Sequence, residues 1–381
     1  MNGIKAGRTV LKILNEAGYE AFFVGGIVRD ELLKRAIFDI DITTNATPDK
    51  VNALFEKTFA TGIQHGTVTV LQDGVTVEVT TYRTEGQYLD SRRPESVMFT
   101  NSLEEDLLRR DFTINAMAKD IEGNLFDPFG GLADLKASLI KTVGHPKKRF
   151  EEDALRILRG VRFASKLGFD IETSTFAQMK ARAPLVQNLS WERILKEIEG
   201  IISGKHAPSA IKRLFTADIF LNLEFFVALQ KYEHRSFEAI DHIDKLLTLV
   251  ALEQGNVKQF TSTLPISKIQ RQMIQKVLQL RSEPQDFKIN QYKYGVDVME
   301  INHAIDCFYK QTLTEFKAEK LPIKHHKDLN IEVKDILETF DKAPGLWVQK
   351  CLQMLENGVL LGNVQNTRQQ LLEFLKGQMN A

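Results

Sequence analysis

Residues Phe22 to Thr44 read FFVGGIVRDELLKRAIFDIDITT. Phe22, Phe23 and Val24 have the apolar, aromatic character of the end of a short buried strand. Gly25 and Gly26 supply a tight turn, and IVRDELLKR has helical spacing that opens at that turn. A strand, a Gly-Gly turn and a helix in this order bring backbone N–H groups and a helix N-terminus up to an anion, most naturally a phosphate. The next stretch, FDIDI, alternates, so the spacing predicts a strand over 38–42 with Asp39 and Asp41 on one face. Two carboxylates so placed can share divalent cations, with Mg²⁺ favoured where phosphate oxygens complete the shell. A lone Gly-Gly is usually a turn and a lone Asp-X-Asp a solvated strand face. Their order and close spacing point instead to metal-dependent transfer of a nucleotide.

A chain of 381 residues exceeds one ordinary hydrophobic core, so two to four domains are expected. Lys plus Arg and Asp plus Glu both number 50, so the net charge gives no sign of nucleic acid. Charge is nonetheless uneven, with Lys147, Lys148, Arg149, Arg156, Arg159 and Arg162 clustered in a basic stretch from His145 to Arg213. Such a stretch suits RNA, although a solvated helix face explains many like it. The two cysteines, Cys307 and Cys351, lack metal-ligand spacing and fit a reducing compartment. No signal-peptide apolar region and no apolar run of membrane-spanning length occur, so a cytoplasmic protein without membrane association is expected.

Strand patterns fall at 21–24, 38–42, 67–71, 75–81 and 124–126, separated by turns such as Asp73-Gly74 and Glu122-Gly123. An amphipathic helix is predicted over 10–17. After His145 helical periods take over, in ALRILRGVRFASKLGF, RILKEIEGIIS, the stretch 240–250 and QQLLEFLKG, punctuated by Pro184, Pro208, Pro265, Pro284 and Pro322. The fold class expected is α+β: a small mixed sheet in an N-terminal head, then an all-helical remainder.

Five segments in order, GGIVRD with DID, LRRDFTINAMA, DPFGGLADL, RFEEDALRILRGVRF and SWERILKEI, resemble bacterial tRNA nucleotidyltransferases of the CCA-adding type. That family shares its polymerase-β-like head with bacterial poly(A) polymerases. The resemblance implies a nucleotidyltransferase head over 1–141, a base-recognising neck over 142–200, a body over 201–275 and a tRNA-binding tail over 276–381. It implies addition of C, C and A to the 3′ end of tRNA from CTP and ATP, without a nucleic-acid template, with Mg²⁺ as cofactor. A homodimer is compatible with it.

Residue by residue, Asp39 and Asp41 match the family's metal ligands, and Glu78 between Val77 and Val79 is either a third catalytic carboxylate or an exposed strand glutamate. Gly26 and Arg29 match phosphate-contacting positions, with a plain surface role as the alternative for Arg29. Arg110 carries over as nucleotide-binding, while Asp111 either accepts from a ribose 2′-hydroxyl or caps a helix opening at Phe112. Asp153, Arg156 and Gly160 form one stripe if the segment is a continuous helix. Cytosine and adenine each offer an amino donor beside a ring-nitrogen acceptor, which a carboxylate plus a guanidinium complement; guanine and uracil offer the opposite polarity. A solvated Asp153–Arg156 ion pair is the alternative. Arg159 borders that stripe. Arg162 falls on the far side of an ideal helix and is carried over by resemblance alone. Ser190 suits an N-cap, and Asp127 to Gly131 a structural turn.

The rivals are a poly(A) polymerase, a partial enzyme adding only CC or only A, and, from another class, a non-catalytic RNA-binding protein. FATGIQHGTVTV at 59–70 lacks the Gly-basic-Arg-Phe element expected of the first. The polar segment TEGQYLDSRRPES at 84–96 is intact, unlike that of CC-adding enzymes, and is expected to gate the switch from C to A. Intact Asp39, Asp41, Arg110, Asp153 and Arg156 argue against a non-catalytic protein.

Overall fold

The computed structural model describes residues 2–85 and 97–379. The expected gating segment therefore lies, apart from Thr84 and Glu85, outside the described residues. The chain divides into two compact units, Met1–His234 and Arg235–Ala381.

In the first unit, helix α1 (Asn2–Glu16) precedes strand β1 (Ala21–Val24), helix α2 (Gly26–Leu32) and strand β2 (Asp41–Thr44). Helix α1 is about twice as long as the stretch expected, because Ala6, Val10, Leu11 and Leu14 make one continuous buried stripe. Helix α3 (Pro48–Leu54) leads to β3 (Thr58–Gly62), β4 (Thr67–Gln72) and β5 (Val75–Thr81). A short hairpin, β6 (Arg83–Glu85) and β7 (Val97–Phe99), and helix α4 (Leu103–Leu108) come next, then β8 (Ala118–Lys119) and β9 (Leu125–Phe126).

Seven strands form one mixed sheet in the order β3-β4-β5-β2-β1-β8-β9. The β2–β5 pair is parallel, with Asp41 opposite Glu78; the others are antiparallel. The strand expected over 38–42 is displaced: regular pairing starts at Asp41, and Asp39 lies in the extended segment leading into it. Alternation fixes side-chain faces, but a ladder also needs a neighbour, and β5 and β1 meet this chain only from about Ile40 onward. The Ile40 carbonyl still accepts from the N–H of Glu78 at 2.9 Å. Ile40, Ile42, Val68, Val70, Val77 and Val79 are buried, so the acidic residues lie between core positions.

Beyond the sheet come α5 (Gly131–Lys136), α6 (Pro146–Glu152), α7 (Leu155–Leu167), α8 (Thr173–Arg182) and α9 (Trp191–Ile202). Helix α7 buries most of its surface, and Gly160 has no room for a side chain: a Cβ would lie 2.2 Å from the Met179 methyl carbon. Asp127 accepts from the N–H groups of Gly131 and Leu132 at 2.7 and 2.9 Å, so the Asp127–Gly131 turn caps α5. Ser190 does precede α9, but its hydroxyl makes no capping bond.

The second unit is built of helices including Ile243–Gln254, Lys268–Ser282, Val296–Lys310, Leu346–Leu360 and Arg368–Met379. The helix expected over 240–250 begins at Ile243, where His242 Nδ1 accepts from the N–H of Asp244. Ile323, Ile336, Cys351, Leu355, Leu371 and Leu375 form a buried cluster in this unit. Among the described residues no helix is long and apolar enough to cross a membrane.

Candidate active site

The site begins where β1 stops. Gly25 takes φ +72°, a conformation L side chains rarely adopt, and a Cβ there would stand 3.3 Å from Arg110 Nη1 and 3.8 Å from Asp41 Oδ2. The bare backbone thus lets the Arg110 guanidinium and the Asp41 carboxylate approach the turn together, and α2 starts at the next residue. Parallel pairing puts Glu78 beside Asp41. Asp39 and Glu78 are exposed and Asp41 half-buried. Burial pushes the Asp41 carboxyl up to about 6, and the negative charges of Glu78 and Asp39 add to the shift while Arg110 and Arg29 oppose it.

A second tier of side chains fixes the cations. Arg29 donates from Nε and Nη2 to Asp30 at 2.9 and 2.8 Å and from Nη1 to Asn115 Oδ1 at 2.6 Å. Asn115 in turn donates to Asp111, whose other oxygen accepts from Arg159 Nε at 2.8 Å. The Phe112 N–H also bonds Asp111, as a cap would, although the helical element beyond it is only a 3₁₀ turn, Thr113–Asn115. The Arg159 guanidinium and these bonds overcome burial and hold the Asp111 carboxyl down at about 2. The guanidiniums of Arg29, Arg159 and Arg162 lie 5.4, 5.5 and 5.1 Å from the centroid of the buried Phe163 ring. Arg162 is also paired with Glu197 at 2.5 Å, and it lines the same cleft as Gly26, Arg29, Asp39 and Asp41.

Sequence reasoning missed Asp106, which is fully buried. It accepts from Arg109 at 2.8 Å and Arg110 at 3.1 Å, and from the Thr43 hydroxyl and the Arg83 N–H. Despite burial, the two guanidiniums keep its carboxyl below the usual carboxylate range. The signal was present as an i, i+3 and i+4 acid–base spacing within LEEDLLRRDF. Asn115 and Phe163 had no such local signature.

The stripe expected of Asp153, Arg156 and Gly160 is corrected. Asp153 is not helical: α6 ends at Glu152, Asp153 takes φ −141° and ψ 103°, and α7 starts at Leu155. The physical reason is local, since the carboxylate accepts from the N–H of Leu155 at 3.1 Å and so favours a break over continuation. Arg193 reaches Asp153 from α9 at 3.1 Å. Arg156, only 6% exposed, bonds Glu152 and the carbonyls of Arg149 and Arg109.

A cleft of about 510 Å³ is lined by Gly26, Arg29, Asp39, Asp41, Arg162 and Lys166 among others, whereas Glu78, Arg110, Asp111, Asp153, Arg156 and Arg159 are not part of its lining. A cleft lined by both carboxylates and guanidiniums suits a polyphosphate accompanied by divalent cations. The donor set fits such cations. Among the described residues no three His, Cys, Asp or Glu side chains close into a ready-made cage. A ready-made cage is not required where substrate oxygens complete the coordination.

Comparison with known proteins decides the family. A Staphylococcus haemolyticus CCA-adding enzyme is 39% identical over 97% of this chain and 96% of its own length. The chain belongs to the CCA-adding enzyme family. A Bacillus pumilus CCA-adding enzyme is 36% identical over 96% of this chain and 95% of its own. The family described as Poly A polymerase head domain matches residues 21–141, and tRNA nucleotidyltransferase domain 2 matches 238–375. A solved structure of the Bacillus stearothermophilus CCA-adding enzyme in complex with CTP superposes with a TM-score of 0.83 at 30% identity, over 100% of this chain and 98% of that one. A Thermotoga maritima CCA-adding enzyme complexed with tRNA shares the fold at 20% identity, with a TM-score of 0.66 over 98% and 94% of the two chains. Near full-length similarity to CCA-adding enzymes disfavours the poly(A) polymerase alternative, whose head family is shared. The α+β class read from the sequence agrees with both superpositions.

Proposed function

We infer that nucleotidyl transfer in this chain takes place in the cleft lined by Asp39, Asp41, Arg29 and Arg162. As a member of the CCA-adding family, the chain adds C, C and A to the 3′ end of tRNA from CTP and ATP without a nucleic-acid template. The observation that carries the assignment of the site is geometric: parallel pairing sets Asp41 opposite Glu78, and the bare Gly25 backbone lets the Asp41 carboxylate and the Arg110 guanidinium meet beside the Gly-Gly turn. Burial, with the charges of Glu78 and Asp39, pushes the Asp41 carboxyl up to about 6, and a divalent cation brought with the substrate would stabilise its ionised form.

Nucleotidyltransferases of this superfamily use divalent metals, and in this chain Asp39 and Asp41 would hold Mg²⁺. The ions would lower the pKa of the attacking 3′-hydroxyl and neutralise charge on the phosphates. Glu78 maintains the negative potential that draws them in. The Gly26 N–H and the Arg29 guanidinium, held in plane by Asp30 and Asn115, orient the phosphates. Arg110, whose Nε is buried without a hydrogen-bond partner among the described residues, has donor capacity left for the nucleotide. Asp111 and Arg159 form the ribose-facing edge, with Arg162 in the lining of the cleft. Asp153 and Arg156 read the Watson–Crick edge of the incoming base, now as two separately anchored groups rather than one helical stripe. At finer scale residues 1–141 act as head, 142–200 as neck, 201–275 as body and 276–381 as tRNA-binding tail. A cytoplasmic setting and a homodimer complete the reading.

The deciding test supplies a tRNA ending at the discriminator base with CTP and ATP together and sequences the product ends. Three added residues, C, C and A, support the reading. Termination at CC, or a run of A, would assign the chain to a partial or poly(A) activity.

A further inference from the structure

Phe38 stands immediately before Asp39 with 86% of its surface exposed, and it lines the cleft. An aromatic ring left almost wholly in water beside a catalytic carboxylate forgoes burial that most phenylalanines obtain. The surroundings of the ring are equally unusual. Arg35, Lys166 and Lys205 line the same cleft, all three exposed, and none is ion-paired among the described residues. Among the described residues the Arg35 guanidinium donates to the Lys166 carbonyl at 3.1 Å. The other cations of the lining differ: Arg29 and Arg162 are each committed to a carboxylate. The cleft therefore carries some positive charge that is held rigid and, around Phe38, three cations that are not ion-paired among the described residues.

We propose that this part of the cleft, Phe38 with Arg35, Lys166 and Lys205, seats the 3′-terminal nucleotide of the acceptor RNA, Phe38 stacking on its base and the cations taking its phosphates. An exposed aromatic among unpaired cations is the chemistry of single-strand recognition, in which stacking is indifferent to base identity. That indifference suits an acceptor whose last base changes at each step. The direction follows from exposure: Asp41 is half-buried, next to Gly25 and Arg110, whereas Asp39 and Phe38 are exposed. The triphosphate occupies the half-buried end by the Gly-Gly turn, so the attacking hydroxyl, in line with and opposite to the leaving pyrophosphate, enters from the Phe38 side. This inference rests on the cleft being the site of transfer.

The test uses the full chain and a tRNA ending at the discriminator base, with 2-aminopurine as its last nucleotide. Replacing an exposed ring leaves the fold intact, so Phe38→Ala is interpretable. It raises KM for the tRNA about tenfold, leaves KM for CTP unchanged, and abolishes the quenching of 2-aminopurine seen on binding to the wild type. Phe38→Trp retains both the low KM and the quenching. Lys166→Glu combined with Lys205→Glu lowers the salt dependence of tRNA binding by about 0.7 in log–log slope for each phosphate no longer neutralised. A rise in KM for CTP with tRNA unaffected would assign the ring to the incoming base and overturn the proposal, as would an unchanged KM for both. Near-normal addition of C and A by Asp41→Ala would refute the cleft as the transfer site, a failure separate from any outcome at Phe38.

Discussion

Two groups of carboxylates lie within the head, and they are treated in opposite ways. Asp106 and Asp111 are buried and saturated: Arg109, Arg110 and Arg159 pair with them, and both titrate below the ordinary range. Asp39, Asp41 and Glu78 are crowded together, and Asp41 is pushed up to about 6. Where guanidiniums bond the carboxylate directly, it stays ionised and holds those arginines in position; where burial and neighbouring carboxylates outweigh the nearby arginines, as at Asp41, a cation from outside would stabilise the ionised form.

The contrast breaks most sharply in activity. Asp41→Ala is expected to reduce incorporation of C and of A by roughly 10³-fold or more, with tRNA affinity little changed. Single-turnover incorporation and filter binding check this, and near-normal turnover would end the metal-ligand assignment. The next effect is on stability and has opposite signs in the two groups. Asp106→Asn is expected to cost about 3 kcal/mol, because two guanidiniums lose a buried partner. Asp41→Asn relieves repulsion and is expected to leave the denaturation midpoint unchanged or raised. Equal losses in urea titrations would erase the distinction.

A smaller effect is set by pH. The Asp111 carboxyl is held at about 2 in the folded chain, below its ordinary unfolded value, so it adds stability above about pH 4 that is lost as pH falls through 2. The loss is on the order of 2 kcal/mol. Comparing wild type with Asp111→Asn between pH 5 and pH 2 isolates it, since the variant should lack that slope. The smallest effect concerns base choice. Arg156→Ala is expected to raise misincorporation of UTP and GTP relative to CTP and ATP about tenfold, the worth of one paired hydrogen-bonding group. A uniform fall for all four nucleotides would leave Arg156 as a brace between Glu152 and the Arg109 and Arg149 carbonyls.

Legibility in the sequence tracks the range of the interactions. Strands 21–24 and 75–81 are legible with their observed bounds, because alternation and flanking turns lie within a few residues. Asp39, Asp41 and Gly26 stand out for the same reason. Thr58–Gly62 escapes such a reading: TFATG is short, weakly apolar and gains its strand character from β4 beside it. The break at Asp153 escapes it because helical period outweighs a single capping bond when only the sequence is seen. Asn115 acts through Arg29, 86 residues away in sequence, and Phe163 meets the same guanidinium from α7, and no local pattern records such meetings.

The strand order fixes when the catalytic carboxylates can meet during synthesis. Asp41 and Glu78 come together only through a parallel pair, which closes a loop of chain before any contact rewards it. The other edge of β1 waits for Ala118 and Lys119. A nascent chain halted before that point carries the Gly-Gly turn and both aspartates yet lacks the strand that completes the sheet beside them. The head is thus expected to become competent in one late step, as the ribosome releases residues well past 118, rather than gradually as its motifs emerge.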